Sequence, residues 1–201
     1  MHDDLLTLER HVSVTDDEEL ASYGDLRLAI PRCQKGIDSI ILAPDSHALI
    51  DGVRVRSFPI WPDDRGYFLE VMRTGLGLTA GFDLTHSQVS AALSYPGTIK
   101  AFHYHLRQTD CWVTTAGLLQ VALVDLRKDS PTYGRRNTMY VGALRPWQVM
   151  VPPGVAHGYK VIGRDSAVLV YVTNQVYDPK DEGRIAHNHP SLQYDWELQY
   201  K

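Results

Sequence analysis

Residues 97–117 read GTIKAFHYHLRQTDCWVTTAG. Ile99, Phe102, Tyr104, Val113, Thr114 and Thr115 are residue types that favour strands, and the glycines at both ends favour turns. In a strand, successive side chains point to opposite faces, so His103 and His105 share one face while Phe102 and Tyr104 share the other. A pair of imidazoles on one side of a sheet, backed by aromatic rings on the other, is a face equipped for chemistry.

Outward from this stretch the pattern repeats. VRVRSFPIW, GYFLEVM, SQVSAAL, LLQVALVDL, TMYVGAL, WQVMVP, HGYKVIG and AVLVYVT are short β-like runs, separated by PDDRG, SYPG, KDSPTYG, VPPG and GRDS. No helical period competes between Val53 and Thr173, and many short strands punctuated by Gly and Pro predict an antiparallel sandwich or barrel. The first fifty residues differ in character. Thr15 with Glu18 three positions later fits a capping box, which predicts a short helix over 16–23. DLRLAIPRC and SIILAPDSHALI then suit strands or an arm lying on a core. Residues 1–50 are therefore expected to form an N-terminal extension, in packing or subunit contact, and residues 51–201 one domain.

Composition narrows the function classes. The chain has 201 residues, 44% hydrophobic and 22% charged, enough for one buried core. A formal net charge of -4, with its positive charges scattered, speaks against nucleic acid and against an acidic membrane surface. The two cysteines, Cys33 and Cys111, lack the CxxC spacing of a zinc or redox site and read as structural thiols. With no run of about 18 apolar residues, the expectation is a cytoplasmic protein acting on a small molecule.

At Gly97 the spacing becomes specific. Gly97, His103, His105, Asp110 and Gly117 resemble the first motif of the cupin barrels, with Asp in place of the usual Glu, and Pro152-Pro153-Gly154-Val155-Ala156-His157 resembles the second motif, PxGxxH. The resemblance implies an all-β fold, a cupin-type double-stranded β-helix or jelly-roll barrel, with His103, His105, Asp110 and His157 converging in its mouth, where small barrels hold ligands.

DDRGYFLE at 63–70, IKAFHYH at 99–105, VALVDLRKDSPTYG at 121–134, VPPGVAHGY at 151–159, VYVTNQVYDPKDEGRI at 170–185 and YDW at 194–196 together resemble the dTDP-4-dehydrorhamnose 3,5-epimerases. What this resemblance implies is an isomerase that removes a proton beside the 4-keto group of a nucleotide-linked 6-deoxy sugar and returns one on the opposite face. It implies no cofactor and no metal, a nucleotide-sugar substrate, and a homodimer built by strand exchange. It places the base on His103 and the proton donor on Tyr171. Substrate contacts fall on Arg65, Glu70, Gln88, Lys100, His105, His157, Tyr177 and Glu182, with Tyr177 stacking on the nucleotide base.

Two positions depart from the family pattern, Lys100 standing where the family has arginine and Asp110 where it has a lysine that helps stabilise the enolate. A carboxylate at 110 is expected to orient the His103 imidazole, as the aspartate of a catalytic triad does. Other readings stand beside these. His103, His105, Asp110 and His157 could hold a divalent ion in a metal-dependent isomerase or oxygenase, or the pocket could bind a sugar nucleotide without chemistry. Arg65 in its DDRG turn could simply pair with Asp63 or Asp64, and Asp125 with Arg127 reads as a structural pair.

Overall fold

The computed structural model describes residues 17–198. Fifteen strands follow in chain order: β1 (Glu18–Tyr23), β2 (Leu26–Ile30), β3 (Ser39–Ile40), β4 (Arg54–Ser57), β5 (Ile60–Asp63), β6 (Gly66–Leu69), β7 (Gln88–Ser94), β8 (Ile99–His105), β9 (Asp110–Ala116), β10 (Leu118–Asp125), β11 (Arg136–Gly142), β12 (Trp147–Val151), β13 (Val155–Val161), β14 (Ala167–Thr173) and β15 (Glu182–Arg184). A six-stranded sheet in the order β15-β8-β13-β10-β11-β3 faces a five-stranded sheet in the order β4-β12-β9-β14-β7, and β1-β2 and β5-β6 form separate hairpins. This is the all-β, cupin-type jelly roll expected from the spacing of the motifs.

Alternation along the strands divides the side chains between two cores. Leu119, Val121 and Leu123 of β10 point between the sheets and pack with Met139, Val149, Val151, Trp112 and Leu169. Their neighbours Ala122 and Val124 point outward, beside Phe102 and Tyr104 of β8, and are covered by Leu28, Ile30, Leu192, Tyr194 and Trp196. The segment before residue 51 thus supplies part of both cores, Ile41 and Ile50 entering the inner one. Among the described residues no helix is long and apolar enough to cross a membrane.

The helix expected over 16–23 is corrected: Glu18–Tyr23 is a strand paired antiparallel with β2, while Thr15 and Asp16 lie outside the described residues. A capping signal is local, and pairing across the hairpin outweighs it. Pairing is joined here by Lys128 on Glu19 and by Tyr133, whose hydroxyl donates to Asp17 at 2.7 Å.

The loop after β10 holds one end of the barrel. Asp125, fully buried, accepts hydrogen bonds from Arg127 (2.8 and 2.9 Å), Ser130 (2.5 Å) and Thr132 (2.6 Å). Burial pushes its carboxyl up, but these donors outweigh burial and hold it below the usual carboxylate range. Asp125 and Arg127 are a structural pair, as their spacing suggested.

Candidate active site

Where the inner core stops, the space between the two sheets opens into a cavity of about 300 Å³. The residues that line it follow the two-residue period strand by strand: Gln88 and Ala92 on β7, His103 and His105 on β8, Asp110 and Trp112 on β9, His157 and Tyr159 on β13, Leu169, Tyr171 and Thr173 on β14, and Glu182 and Arg184 on β15. Lys100 breaks the parity of β8 yet also lines the cavity. The pairing explains it: His157 lies opposite His103 and Tyr159 opposite Lys100, so β8 carries one extra residue there, a bulge that turns both side chains inward. Gly158 sits at this bulge, where an added Cβ would meet Ala101 Cβ at 2.3 Å. Only glycine lets the strands approach so closely.

At the wall formed by the six-stranded sheet, the His103 and His157 rings stack with centroids 6.5 Å apart. Burial lowers the His103 pKa below the ordinary histidine value, the neighbouring His157 adds to the effect, and Glu182 opposes it, so the ring is neutral at pH 7 and able to accept a proton. Glu182 Oε1 lies 3.5 Å from His103 Nδ1 and accepts from Arg184 Nε at 2.7 Å. Burial pushes the Glu182 carboxyl up, but the hydrogen bond from Arg184 and the nearby His103 outweigh it and keep it low and ionised.

Deeper in, Asp110 accepts from Gln108 Nε2 (2.7 Å) on Oδ1 and from Trp112 Nε1 (3.0 Å) on Oδ2. Its Oδ2 is 3.6 Å from His157 Nε2, and its Oδ1 is 4.0 Å from His105 Nε2. The expected pairing of Asp110 with His103 is therefore corrected. The carboxylate beside His103 belongs to Glu182, and Asp110 faces the two histidines of the floor. Trp112 closes that floor, its ring edge-on to His157 at 5.1 Å and to Tyr159 at 5.9 Å.

On the opposing sheet, Tyr171 lies across from Trp112 in the β14-β9 register and faces the cavity from the side away from His103. Tyr177 stands at the rim, 57% exposed, its backbone N–H donating to Gln88 Oε1 at 3.0 Å. Of the eleven residues singled out from the sequence, nine line the cavity. Arg65 and Glu70 do not. Arg65 donates to Asp63 at 2.5 Å and Glu70 accepts from Arg73 at 2.7 Å, both exposed on or beside the β5-β6 hairpin. Gln108, Trp112 and Arg184 were not anticipated. Parity with Asp110 was a signal for Gln108 and Trp112; none pointed to Arg184.

A barrel whose one open cavity wall carries a neutral histidine and whose other carries a tyrosine belongs, by class, to the cupin-fold enzymes that move protons. A family model described as dTDP-4-dehydrorhamnose 3,5-epimerase matches residues 47–201, and the chain belongs to that family of sugar-nucleotide epimerases. It is 40% identical over 155 residues to the spore coat polysaccharide biosynthesis protein SpsL of Bacillus subtilis, covering 76% of this chain and all of that one. Among solved structures, an epimerase of Legionella pneumophila in complex with dTDP-4-keto-L-rhamnose is 27% identical with a TM-score of 0.64, over 75% of this chain and 81% of that one. ChmJ of Streptomyces bikiniensis, a 3'-monoepimerase in complex with dTDP-quinovose, is 28% identical with a TM-score of 0.65, over 76% and 78% of the two chains.

Proposed function

We propose that this chain epimerises a dTDP-linked 4-keto-6-deoxy sugar, with His103 as the base and Tyr171 as the acid. The observation that carries the reading is the placement of these two side chains on facing sheets of one cavity. Inversion requires a proton to leave one face of the sugar ring and another to arrive on the opposite face. The keto group acidifies the hydrogens on both flanking carbons, so the same pair can serve one centre or two. Glu182 is the group that orients His103: its carboxylate can take the imidazole Nδ1–H, leaving Nε2 free as the base, and can steady the imidazolium that forms. Incubation with the sugar nucleotide in heavy water tests the reading, since abstraction and reprotonation from solvent leave deuterium on the sugar.

The nucleotide end is assigned to the rim. Tyr177 is an exposed ring whose backbone is fixed by Gln88, suited to stacking flat on a base. Its replacement by Ala should weaken dTDP binding in calorimetry by about 1–3 kcal/mol, the usual worth of stacking on an aromatic ring. An unchanged affinity would return Tyr177 to a structural role.

The working unit is proposed to be a homodimer. The β5-β6 hairpin pairs with no other strand among the described residues, yet it exposes Trp61 (50%) and Phe68 (68%), while the edge strand β7 exposes Val89 and Leu93. An unpaired edge with apolar side chains invites a partner strand, and exchange of the hairpins would carry Arg65 and Glu70 towards a neighbour's cavity. Light scattering should give twice the chain mass; the mass of a single chain at working concentration would contradict this arrangement.

A further inference from the structure

The segment between β14 and β15 carries Tyr177 in its middle and Glu182 at its end, and the groups that fix it stand outside the cavity. Both its ends are tied to the turn between β8 and β9. Asn174 Oδ1 accepts from the Thr109 N–H at 2.8 Å, and the Asn174 N–H donates to the Thr109 carbonyl at 3.2 Å. At the far end the Leu106 N–H donates to the Asp181 carbonyl at 3.2 Å. The Asp181 carboxylate, 2% exposed, accepts from the Gln108 N–H (2.9 Å), Gln175 Nε2 (2.8 Å) and Arg107 Nε (3.2 Å). A charge so buried is tolerated only with donors of this kind, so its pair with Arg107 is costly to break. Arg107 also donates, from its outer nitrogen, to Asp178 Oδ2 at 2.6 Å, beside Tyr177 in the chain. That second pair is exposed and stabilises little by itself. What it adds is direction, because one guanidinium then spans both ends of the turn 178–181, which the Asp181 N–H closes on the Asp178 carbonyl at 3.0 Å.

Arg107 is covered in turn by the N-terminal hairpin. The ring of Tyr23, at the end of β1, has its centroid 5.5 Å from the guanidinium carbon, within reach of a cation–π contact. The hairpin is braced from elsewhere, by Lys128 on Glu19, by Tyr133 on Asp17 and by His189, whose Nε2 lies 3.3 Å from Glu18 Oε2. It lies before residue 47, where the match to the family model begins. None of Tyr23, Arg107, Asp178 and Asp181 lines the cavity. We propose that Arg107 is a positioning residue that fixes Tyr177 at the rim for the nucleotide base, and that the N-terminal hairpin acts on the site through Tyr23. The proposal rests on the reading of Tyr177 as the ring that stacks on the base. Glu182 depends less on Arg107, since β15 is also held by its pairing with β8. Loosening of the segment therefore falls on Tyr177, which has its exposed N–H bond to Gln88 to hold it.

Two readouts on the whole protein test this. Without any ligand, hydrogen–deuterium exchange with mass spectrometry follows the peptide spanning 174–182. Arg107→Met keeps the length of the side chain and removes its donors, and should speed exchange there about tenfold or more, the buried Asp181 having lost its partner. Tyr23→Ala should speed it about 2- to 5-fold, the worth of an exposed cation–π contact, while Tyr23→Phe keeps a ring and should exchange as the wild type does. Calorimetry with dTDP supplies the second readout. Arg107→Met should lower affinity about fivefold or more, a part of the stacking contribution, and should lower it no further in the Tyr177→Ala background, where the ring it positions is gone. Exchange unchanged in Arg107→Met or in Tyr23→Ala would overturn the proposal. So would faster exchange with dTDP affinity unchanged in a protein whose Tyr177→Ala variant does bind more weakly. An equal loss of affinity with and without the Tyr177 ring would also overturn it, leaving Arg107 a general support of the barrel. If Tyr177→Ala binds dTDP as the wild type does, the reading of the rim fails and the proposal with it, a failure that the exchange data separate from the absence of a clasp.

Discussion

With His103 replaced by Asn, the wash-in of solvent deuterium to the sugar should fall by about 10²–10⁴-fold, the usual contribution of a positioned general base. Binding of dTDP should stay nearly unchanged, because His103 lies within the cavity and Tyr177 at its rim. Asparagine keeps a polar side chain of similar reach, so Glu182 and Arg184 retain a partner and the wall does not collapse. What is lost is a neutral imidazole, held in that form at pH 7 by burial and by the adjacent His157. Exchange at the wild-type rate, measured by mass spectrometry of the recovered sugar nucleotide, would remove His103 from the role of base. Loss of exchange together with loss of nucleotide binding would point to a misfolded cavity instead.

Tyr171→Phe divides the reaction. The ring stays in place on β14, between Leu169 and Thr173 along the same face, and only the hydroxyl is removed. Abstraction at the His103 wall is left intact, so deuterium should still enter the sugar with retained configuration. Inverted product should drop by about 10²-fold or more, since the donor on the opposite face is gone. Chromatographic separation of the epimers with isotope counting in each reads both steps at once. A proportional loss of exchange and inversion would mean that Tyr171 shapes the cavity without delivering the proton.

The strands that carry the site were legible because their pattern is local. IKAFHYH, CWVTT, HGYKVIG and AVLVYVT each show an inward and an outward set, and the inward sets are the cavity wall. The hairpin β1-β2 was not legible: the Thr15–Glu18 capping signal acts within one helical turn, whereas the strand is fixed by residues far along the chain, Lys128 and Tyr133 among them. Strand β15 shows the same limit. Glu182-Gly183-Arg184 has no strand-forming character, and it becomes a strand only because it lies beside β8, with Glu182 opposite His105 and Arg184 opposite His103. That register, invisible in the sequence, decides which carboxylate lies beside His103. Asp110 was expected to serve His103 because the motif spacing puts it on the next strand, in the same barrel mouth. In the barrel β8 and β9 belong to different sheets, which sets Asp110 against His157 and His105. Arg65 and Glu70 were not legible, because their partners in this chain are the near neighbours Asp63 and Arg73 on or beside the exposed β5-β6 hairpin, outside the cavity.

The most direct measurement is made on the unaltered protein: a dTDP-4-keto-6-deoxy sugar is incubated with it in heavy water, and deuterium is located by mass spectrometry and proton NMR. The account predicts deuterium at one or both carbons flanking the keto group, accompanied by an inverted epimer at each exchanged centre. A sugar nucleotide that binds in the cavity yet returns with every carbon-bound hydrogen and its original configuration would contradict it.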